Sequence, residues 1–286
     1  MEQRRIQTNG TELYVELYGS PNAQETLFLL HPGGFNLFVW HNIIPLLERQ
    51  FRIVAVDLRG HGQSALAEYG YEMTNQANDL IGVMDALGID SAHMIGNSLG
   101  TDVAVHLAAI RPERVRTLVN IDAGMLNFIG PNGEVEGTKE QLVAGRLQRA
   151  IVEFRDRDAF GEYIRANYSG LGEQYVRRTS ESAPLRLLSN GNVTHQMPNE
   201  IGARLTAAWC DMKFEDCYPS IQCPVLFLPA EQEAKLKEKL ASIELHRLHL
   251  PHAEVDVIPG TTHIPLVTHA QELSDRISLF IRQHTA

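Results

Sequence analysis

The chain has 286 residues, 44% of them hydrophobic, and it carries a formal net charge of −10 at pH 7. This size and composition fit one large α/β domain, or a core with an inserted subdomain. The acidic balance argues against nucleic acid and anionic membrane surfaces as partners. The amino terminus has no signal-peptide pattern and no run reaches the ~18 apolar residues of a membrane span, so we expect a cytoplasmic protein.

The cysteines are sparse and lie within one short stretch, at Cys210, Cys217 and Cys223. Their spacing matches no zinc-binding pattern, and an odd number is not typical of a disulfide framework. We therefore expect reduced, buried thiols. No metal ion or other cofactor is expected, and the sequence is compatible with a monomer or a homodimer.

Apolar runs alternate with helical patterns along the first 121 residues. The predicted strands cover residues 13–18, 26–30, 52–56, 92–95 and 115–121, and the predicted helices cover residues 40–47, 74–87 and 101–110. Strands that alternate with helices indicate a largely parallel sheet covered on both faces. The predicted fold class is therefore α/β.

The pattern changes after residue 124, where the apolar strand runs stop and Arg- and Glu-rich helical patterns begin. The helices predicted in this segment cover residues 139–156 and 158–168; beyond it, strands are predicted at 224–228 and 254–258 and helices at 234–245 and 267–283. We therefore predict a core made of residues 1–124 and 221–286, interrupted by a helical cap over residues 125–220.

The pentapeptide Gly96-Asn97-Ser98-Leu99-Gly100 lies between a predicted strand and a predicted helix. A serine between two glycines at such a turn matches the G-x-S-x-G nucleophile elbow. The turn is so sharp that the serine takes a strained backbone conformation, and side chains at the glycine positions would clash. Ser98 is the predicted nucleophile, and the N–H of Leu99 is a predicted oxyanion donor.

A serine nucleophile needs a histidine base and a carboxylate that orients it, and in elbow-bearing folds the chain order is Ser, acid, His. His263 lies in the loop after the last predicted strand and is the predicted base. Glu233 follows the preceding strand, where the acid normally falls, and it is the preferred acid. Asp122, at the end of the strand after the elbow helix, is the alternative. Without catalysis, Glu233 would open a charged helix and Asp122 would form a turn.

The loop His31-Pro32-Gly33-Gly34-Phe35, named here the oxyanion loop, follows the strand at 26–30. Its glycines let the backbone approach a substrate closely, so Gly33 is the preferred second oxyanion donor and Gly34 the next. We expect His31 to hold the loop by local hydrogen bonds. Four aromatic residues are candidates for an apolar substrate pocket, although packing between cap and core explains them equally well: Phe35, Phe38, Trp40 and Phe128.

Two further carboxylates attract attention near these motifs. Asp57 and His61, in Asp57-Leu58-Arg59-Gly60-His61-Gly62, could be metal ligands, but no further ligand has suitable spacing. We therefore favour a tight structural turn after a strand. Asp102 is interpreted as a carboxylate in the first turn of a helix.

Together the segments 31–34, 57–64, 96–100 and 260–263 resemble the α/β-hydrolase superfamily, and the likeness covers nearly the whole chain. The resemblance implies an eight-stranded, mostly parallel sheet with a helical cap over the active site. A serine at the elbow resembles the esterase, lactonase, thioesterase and carbon–carbon hydrolase branches. The chain departs from the family pattern at Thr101, which is more often glycine, and in the acid loop that begins at Pro229.

The sequence therefore predicts a cofactor-independent serine hydrolase that cleaves a small, mostly apolar ester, lactone or related acyl compound through an acyl-enzyme. One alternative is a carbon–carbon hydrolase of the meta-cleavage-product type, which the elbow sequence also resembles. Another is a ligand receptor that retains the triad and turns over slowly. In each case the expected partner is a small molecule.

Overall fold

The computed structural model describes residues 1–285, whose strands and helices are numbered here in chain order. The strands are β1 (Glu2–Thr8), β2 (Thr11–Tyr18), β3 (Thr26–Leu30), β4 (Arg52–Val56), β5 (Ala92–Asn97), β6 (Val115–Ile121), β7 (Glu153–Phe154), β8 (Leu185–Leu187), β9 (Val193–His195), β10 (Val225–Leu228) and β11 (Ala253–Val255). The α-helices are α1 (Ile44–Leu47), α2 (Met73–Ala86), α3 (Leu99–Ile110), α4 (Lys139–Leu147), α5 (Arg157–Tyr168), α6 (Glu173–Ser182), α7 (Asn199–Asp211), α8 (Phe214–Cys217), α9 (Leu236–Arg247) and α10 (Ala270–Gln283).

Eight strands form the central sheet in the order β1-β2-β4-β3-β5-β6-β10-β11. The β1–β2 and β2–β4 pairs are antiparallel. The five remaining pairs are parallel. The predicted α/β fold with an eight-stranded, mostly parallel sheet is thus confirmed, although β1 had no clear pattern in the sequence.

The central strands read as continuous apolar runs because helices cover both faces of the sheet. Along β3, Phe28 points into the cluster that contains Leu80 of α2, while Leu29 points into the cluster that contains Ile277 of α10. All four side chains are fully buried. The two clusters hold the sheet rigidly, and the carboxyl ends of its parallel strands meet at one edge, where ligands bind in folds of this type.

Between β6 and β10 the chain forms α4 to α8 and a second, antiparallel sheet in the order β7-β9-β8. The sequence predicted helices alone here, and it extended the first helix to residue 156, whereas α4 ends at Leu147. Strands of two or three residues are too short to show an alternating apolar pattern. The Asn190-Gly191 turn between β8 and β9 was the available hairpin signal.

A buried ion pair fixes α6 to the core sheet. Arg178 Nη1 donates to Glu16 Oε2 of β2 at 3.1 Å, and the guanidinium carbon lies 4.0 Å above the Phe38 ring. Burial opposes ionisation of Glu16, but His41 nearby at 3.8 Å and hydrogen bonds from Arg178 and two tyrosines outweigh it and hold the pKa of Glu16 far below its usual range. Breaking such a buried pair by removing one partner costs about 3–5 kcal/mol, so this flank of the cap is firmly attached.

The three cysteines are free and buried, as predicted. Within residues 1–285, none of the helices combines the length and the apolar character that crossing a bilayer requires.

Candidate active site

Ser98 lies on the sharp turn between β5 and α3, with φ 53° and ψ −125°. A side chain at Gly96 would lie 2.3 Å from the Thr101 nitrogen, and one at Gly100 would lie 2.1 Å from the Leu30 carbonyl oxygen. Only glycine fits at both positions. The strained serine backbone costs about 1–3 kcal/mol, which the surrounding packing sustains. The turn therefore has the geometry expected of a nucleophile elbow.

His263 is hydrogen-bonded to Asp122, with 2.7 Å between His263 Nδ1 and Asp122 Oδ2. Asp122 is fully buried, directly follows β6 and has φ 50°. Its other oxygen, Oδ1, accepts from the Ala230 N–H at 2.9 Å and lies 2.8 Å from Lys239 Nζ. Asp122 is thus held by donors on both oxygens, and it leaves Nε2 of His263 available to a substrate-side group.

Glu233, the preferred acid of the sequence analysis, is 3.9 Å from Lys239 Nζ and is not the hydrogen-bond partner of His263. Ile121 and Leu228 are paired in neighbouring parallel strands, so Asp122 begins level with the end of β10. Glu233 comes later in the chain, shortly before α9, and its carboxylate lies within 4.8 Å of the His263 ring nitrogen without being its hydrogen-bond partner. The geometry favours the alternative acid, Asp122, over Glu233.

A positive charge already lies between the two carboxylates, because the Lys239 ammonium contacts both Asp122 and Glu233. The ligand atoms of Asp122, Glu233 and His263 lie within 4.8 Å of one another, a spacing that could suggest a metal site. With the ammonium in that position, the set fits a charge-balanced network better than a cation site.

The charge state of His263 is set by opposing effects. Burial disfavours the imidazolium, but the hydrogen bond and the charge of Asp122 outweigh it, so the pKa of His263 is raised. The Lys239 charge lowers the pKa of His263, and the charge of Glu134 raises it. Lys239 therefore keeps His263 less basic than Asp122 alone would make it.

Replacing Lys239 with methionine is expected to raise the pKa of His263, because one of the effects that lower it is removed. Because a base acts only when deprotonated, the predicted role of His263 as the base requires the acid limb of the kcat/KM profile to move to higher pH. Lys237→Met on the exposed face of α9 is the matched control and should leave the limb in place. A limb that stays fixed or moves to lower pH in Lys239→Met would contradict this assignment.

Asn97, the last residue of β5, links that strand to the loop that contains His263. Its Nδ2 donates to the Ile121 carbonyl at 2.9 Å and to the His263 carbonyl at 3.0 Å. The side chain of His263 is bonded to Asp122 rather than to Ser98. Serine–histidine hydrogen bonds often tighten only in the complex with substrate. Asn97 thus fixes the position of the His263 backbone relative to the strand that leads to Ser98.

The oxyanion loop lies directly beneath the indole of Trp209, which belongs to α7. A side chain at Gly33 would come 2.6 Å from Cη2 of Trp209, so the close approach requires glycine. Trp209 Nε1 donates to Asp102 Oδ2 at 3.0 Å, and Phe128 stacks on the indole at 5.4 Å between centroids. The backbone of Gly33 thus lies under a fixed aromatic cover, close to Leu99 at the start of α3.

The structural interpretation of His31 is confirmed. Its Nδ1 lies 2.8 Å from the Pro32 carbonyl, and its Nε2 accepts from the Leu58 N–H at 3.0 Å. Burial, together with the charge of His61, lowers the pKa of His31 to about 3, so the ring is neutral. His31 holds the oxyanion loop against the segment after β4.

Asp57 likewise forms the tight turn that the sequence favoured over a metal site. Its two carboxylate oxygens accept from the Leu37 and Gln63 N–H groups, each at 2.7 Å. Burial, opposed by these hydrogen bonds, raises the pKa of Asp57 to about 7. The carboxyl group closes the loop after β4 and ties it to the segment around Leu37, rather than facing a ligand.

A cavity of about 400 Å³, named here the cap cavity, lies between the oxyanion loop and the cap. Gly33, Gly34 and Phe35 line its lower end, whereas Ser98 lies outside the lining. Phe38 and Trp40 are buried in the core below and do not line it. Among the four aromatic pocket candidates, only Phe35 borders the cap cavity, and the other three have packing roles.

Comparison with known proteins agrees with this architecture. The sequence model of the alpha/beta hydrolase fold family matches residues 26–270. The chain therefore belongs to the α/β hydrolase fold family, and it is a hydrolase of that fold.

Two curated relatives align over almost the whole chain. The pimeloyl-[acyl-carrier protein] methyl ester esterase of Yersinia enterocolitica is 28% identical, over 95% of this chain and 98% of the relative. The 2-(acetamidomethylene)succinate hydrolase of Mesorhizobium japonicum is 28% identical, over 96% of this chain and 92% of the relative. A solved structure of E-2-(acetamidomethylene)succinate hydrolase superposes with a TM-score of 0.77 at 27% identity, covering 98% of this chain and 99% of the other.

Sequence reasoning missed Lys239 and the polar lining of the cap cavity. Lys239 lies in a charged stretch of α9, where one buried lysine among exposed ones gives no pattern. The cavity residues come from separate cap elements, so no spacing along the chain connects them. The position of Trp209 over Gly33 was also missed, because it depends on how α7 crosses the core.

Proposed function

We propose that this protein hydrolyses a small acyl compound through a triad of Ser98, His263 and Asp122. The observation that carries the proposal is the bond between His263 and Asp122, formed at the sheet edge where the strained Ser98 is presented. A buried carboxylate on Nδ1 fixes the tautomer that leaves Nε2 as a base. Asp122 takes the acid role, and Glu233 supplies part of the charge around Lys239.

In the proposed mechanism, Ser98 Oγ attacks the carbonyl carbon of the substrate while His263 Nε2 takes its proton. The N–H groups of Leu99 and Gly33 donate to the oxyanion that forms. The imidazolium then protonates the leaving group, whose bond to the carbonyl carbon breaks, and the acyl-enzyme remains. His263 next takes a proton from water, which attacks the ester, and returns that proton to Ser98 as the acid product leaves.

The names of the relatives support acyl hydrolysis as the reaction class. One relative is named for a methyl ester and another for an acetamido-substituted succinate. A carbon–carbon hydrolase would use the same three side chains. A substrate panel with simple esters, amides and a vinylogous diketone separates these reactions, and cleavage of the diketone alone would select the carbon–carbon reaction.

A fluorophosphonate probe tests the proposal without knowledge of the substrate, because it reacts with a serine that is activated by a base. We expect one adduct, located by peptide mass spectrometry on the peptide that contains Ser98. Protein that is heat-denatured before the probe is added should form no adduct. Labelling of a different serine, or no labelling of the folded protein, would contradict the proposal. Labelling with tight ligand binding but negligible turnover of 4-nitrophenyl esters would instead favour the receptor alternative.

A further inference from the structure

The cap cavity carries three arginines and no carboxylate. Arg146 of α4, Arg149 and Arg186 of β8 all contribute to its lining, which includes neither Asp nor Glu. This is notable in a chain with 35 acidic residues and a net charge of −10. The cavity is therefore a local region of positive potential on an acidic protein.

These arginines are not neutralised by the surrounding cap. Its salt bridges use other basic residues, namely Lys139, Arg155, Arg177 and Arg178. Burial, and then the charge of Arg149, lower the pKa of Arg146, as expected for a cation with a like-charged neighbour. A side chain at Gly202 would come 2.2 Å from Arg146 Nε, so α7 makes room for this guanidinium by having no side chain there.

Three of the residues that line the cavity each have a buried polar side-chain atom without a hydrogen-bond partner within residues 1–285. The atoms are Nε of Arg186, Nε2 of His61 and Oε1 of Gln196. His61 is 4% exposed, so its imidazole is more than nine-tenths buried. Leaving such groups without partners costs about 1–3 kcal/mol each, and a bound molecule that supplies the missing partners is one physical reason for a fold to keep them.

The existing hydrogen bonds fix what two of these atoms can accept. His61 Nδ1 lies 3.0 Å from the Arg59 carbonyl oxygen, which only accepts, so Nδ1 carries the proton. Burial and the charge of Arg146 lower the pKa of His61 to about 4, so the ring is neutral and Nε2 is an acceptor. Gln196 Nε2 donates to the Ser64 carbonyl, which leaves Oε1 as an acceptor. The lining therefore combines guanidinium donors with two neutral acceptors.

We propose that the cap cavity selects substrates with a free carboxylate, which Arg146 and Arg186 bind, and a neighbouring N–H or O–H group, which donates to His61 and Gln196. Acylated amino acids and hydroxy acids have this chemistry. The proposal rests on the hydrolase function above and names its substrate class. It replaces the mostly apolar substrate expected from the sequence with an anionic one, whose apolar part contacts Phe35 and the cap tyrosines.

The position of the cavity suits this role. Its lower end is formed by Gly33 and Gly34 of the oxyanion loop, while the arginines lie in the cap above. An acid held by the arginines would extend toward the oxyanion loop, where its reacting carbonyl meets the backbone N–H groups. Binding at a distance from the reacting bond positions the substrate, which is a major source of rate enhancement.

Three small probes of nearly equal size separate the two interactions. N-acetylglycine has the carboxylate and the N–H, 4-oxopentanoate has a methylene in place of the N–H, and N-acetylglycinamide is uncharged. Dissociation constants from ligand-observed NMR titration of the full chain should rank N-acetylglycine tightest. Because charge-assisted hydrogen bonds are the strong ones, N-acetylglycinamide should bind at least about tenfold more weakly.

Cavity variants assign these preferences to residues. Arg186→Met and Arg146→Met should each reduce the preference for N-acetylglycine over its amide, whereas Arg177→Met, at an exposed position of α6, should not. Gln196→Leu should reduce the preference for N-acetylglycine over 4-oxopentanoate and leave the carboxylate preference in place. Thermal unfolding of each variant checks that it is folded, and Arg186→Lys should retain part of the preference.

Equal binding of N-acetylglycine and N-acetylglycinamide by the wild-type chain would overturn the proposal. Stronger binding of inorganic phosphate than of N-acetylglycine would also overturn it, because the cavity would then be a phosphate site. Fluorophosphonate labelling does not depend on these arginines. Labelling at Ser98 without a preference for the carboxylate would support the hydrolase function and reject the proposed substrate class. Binding of the acid without labelling at Ser98 would instead contradict the hydrolase function.

Discussion

Ser98→Ala is expected to lower kcat by about 10⁶-fold, the magnitude that removal of a triad serine has in a serine protease. The reason is that the acyl-enzyme cannot form without Oγ, so water must attack the bound substrate directly. Substrate binding should change little, because the side chain of Ser98 does not line the cap cavity. Steady-state kinetics on a substrate from the panel measures both quantities.

The variant should remain folded. Alanine keeps the Cβ atom of serine, and the side chain of Ser98 makes no capping hydrogen bond to α3. Circular dichroism and thermal unfolding provide the control, and both should match the wild type. Full activity in a folded Ser98→Ala protein would show that the reaction does not pass through this serine.

Asp122→Asn is expected to lower kcat by about 10⁴-fold, as for the loss of the carboxylate in other triads. The neighbouring donors determine how the amide would sit. Ala230 N–H and Lys239 both point at the Oδ1 position, so the amide oxygen stays there and the NH₂ faces His263 Nδ1. The NH₂ group would then donate to Nδ1 and move the imidazole proton to Nε2, where it prevents abstraction of the serine proton.

Glu233→Gln is the matched control, since it also replaces one carboxylate near Lys239 by an amide. We expect kcat within about threefold of the wild type, because a partly exposed charge interacts weakly with its neighbours. A loss in Glu233→Gln as large as that in Asp122→Asn would return the acid role to Glu233. Thermal unfolding should be measured for both, since Asp122→Asn also leaves Lys239 buried against a neutral group.

Sequence patterns predicted the parts of the fold that depend on local chemistry. Apolar runs predicted the positions of β3 to β6. The two glycines around Ser98 predicted the sharp turn, because the neighbouring backbone leaves no room for a side chain at either position. His263 was predicted from its place after the last strand. These features depend on residues that are adjacent in the sequence, so they can be predicted without knowledge of distant contacts.

The choice of acid was different, because it depends on the register between strands that are far apart in the chain. Asp122 and Glu233 both follow a strand that ends at the same sheet edge, and the sequence does not say which carboxylate turns inward. The pairing of Ile121 with Leu228 places Asp122 at the edge before the chain reaches Glu233. The cap cavity could not be predicted either, because Arg146 and Arg186 come from cap elements that are far apart in the chain.

The ion pair between Arg178 and Glu16 restricts how the cap can move when a substrate enters the cap cavity. With α6 fixed to β2, the part of the cavity wall that α6 forms is held in place, whereas Ile151 and Val152 also border the cavity and are 51% and 44% exposed. Arg149, which also lines the cavity, is exposed and adjacent in the chain to this segment, so it offers a positive charge to an incoming anion. The capture rate of an acidic substrate should therefore fall with ionic strength, whereas the rate of the bond-breaking step should not.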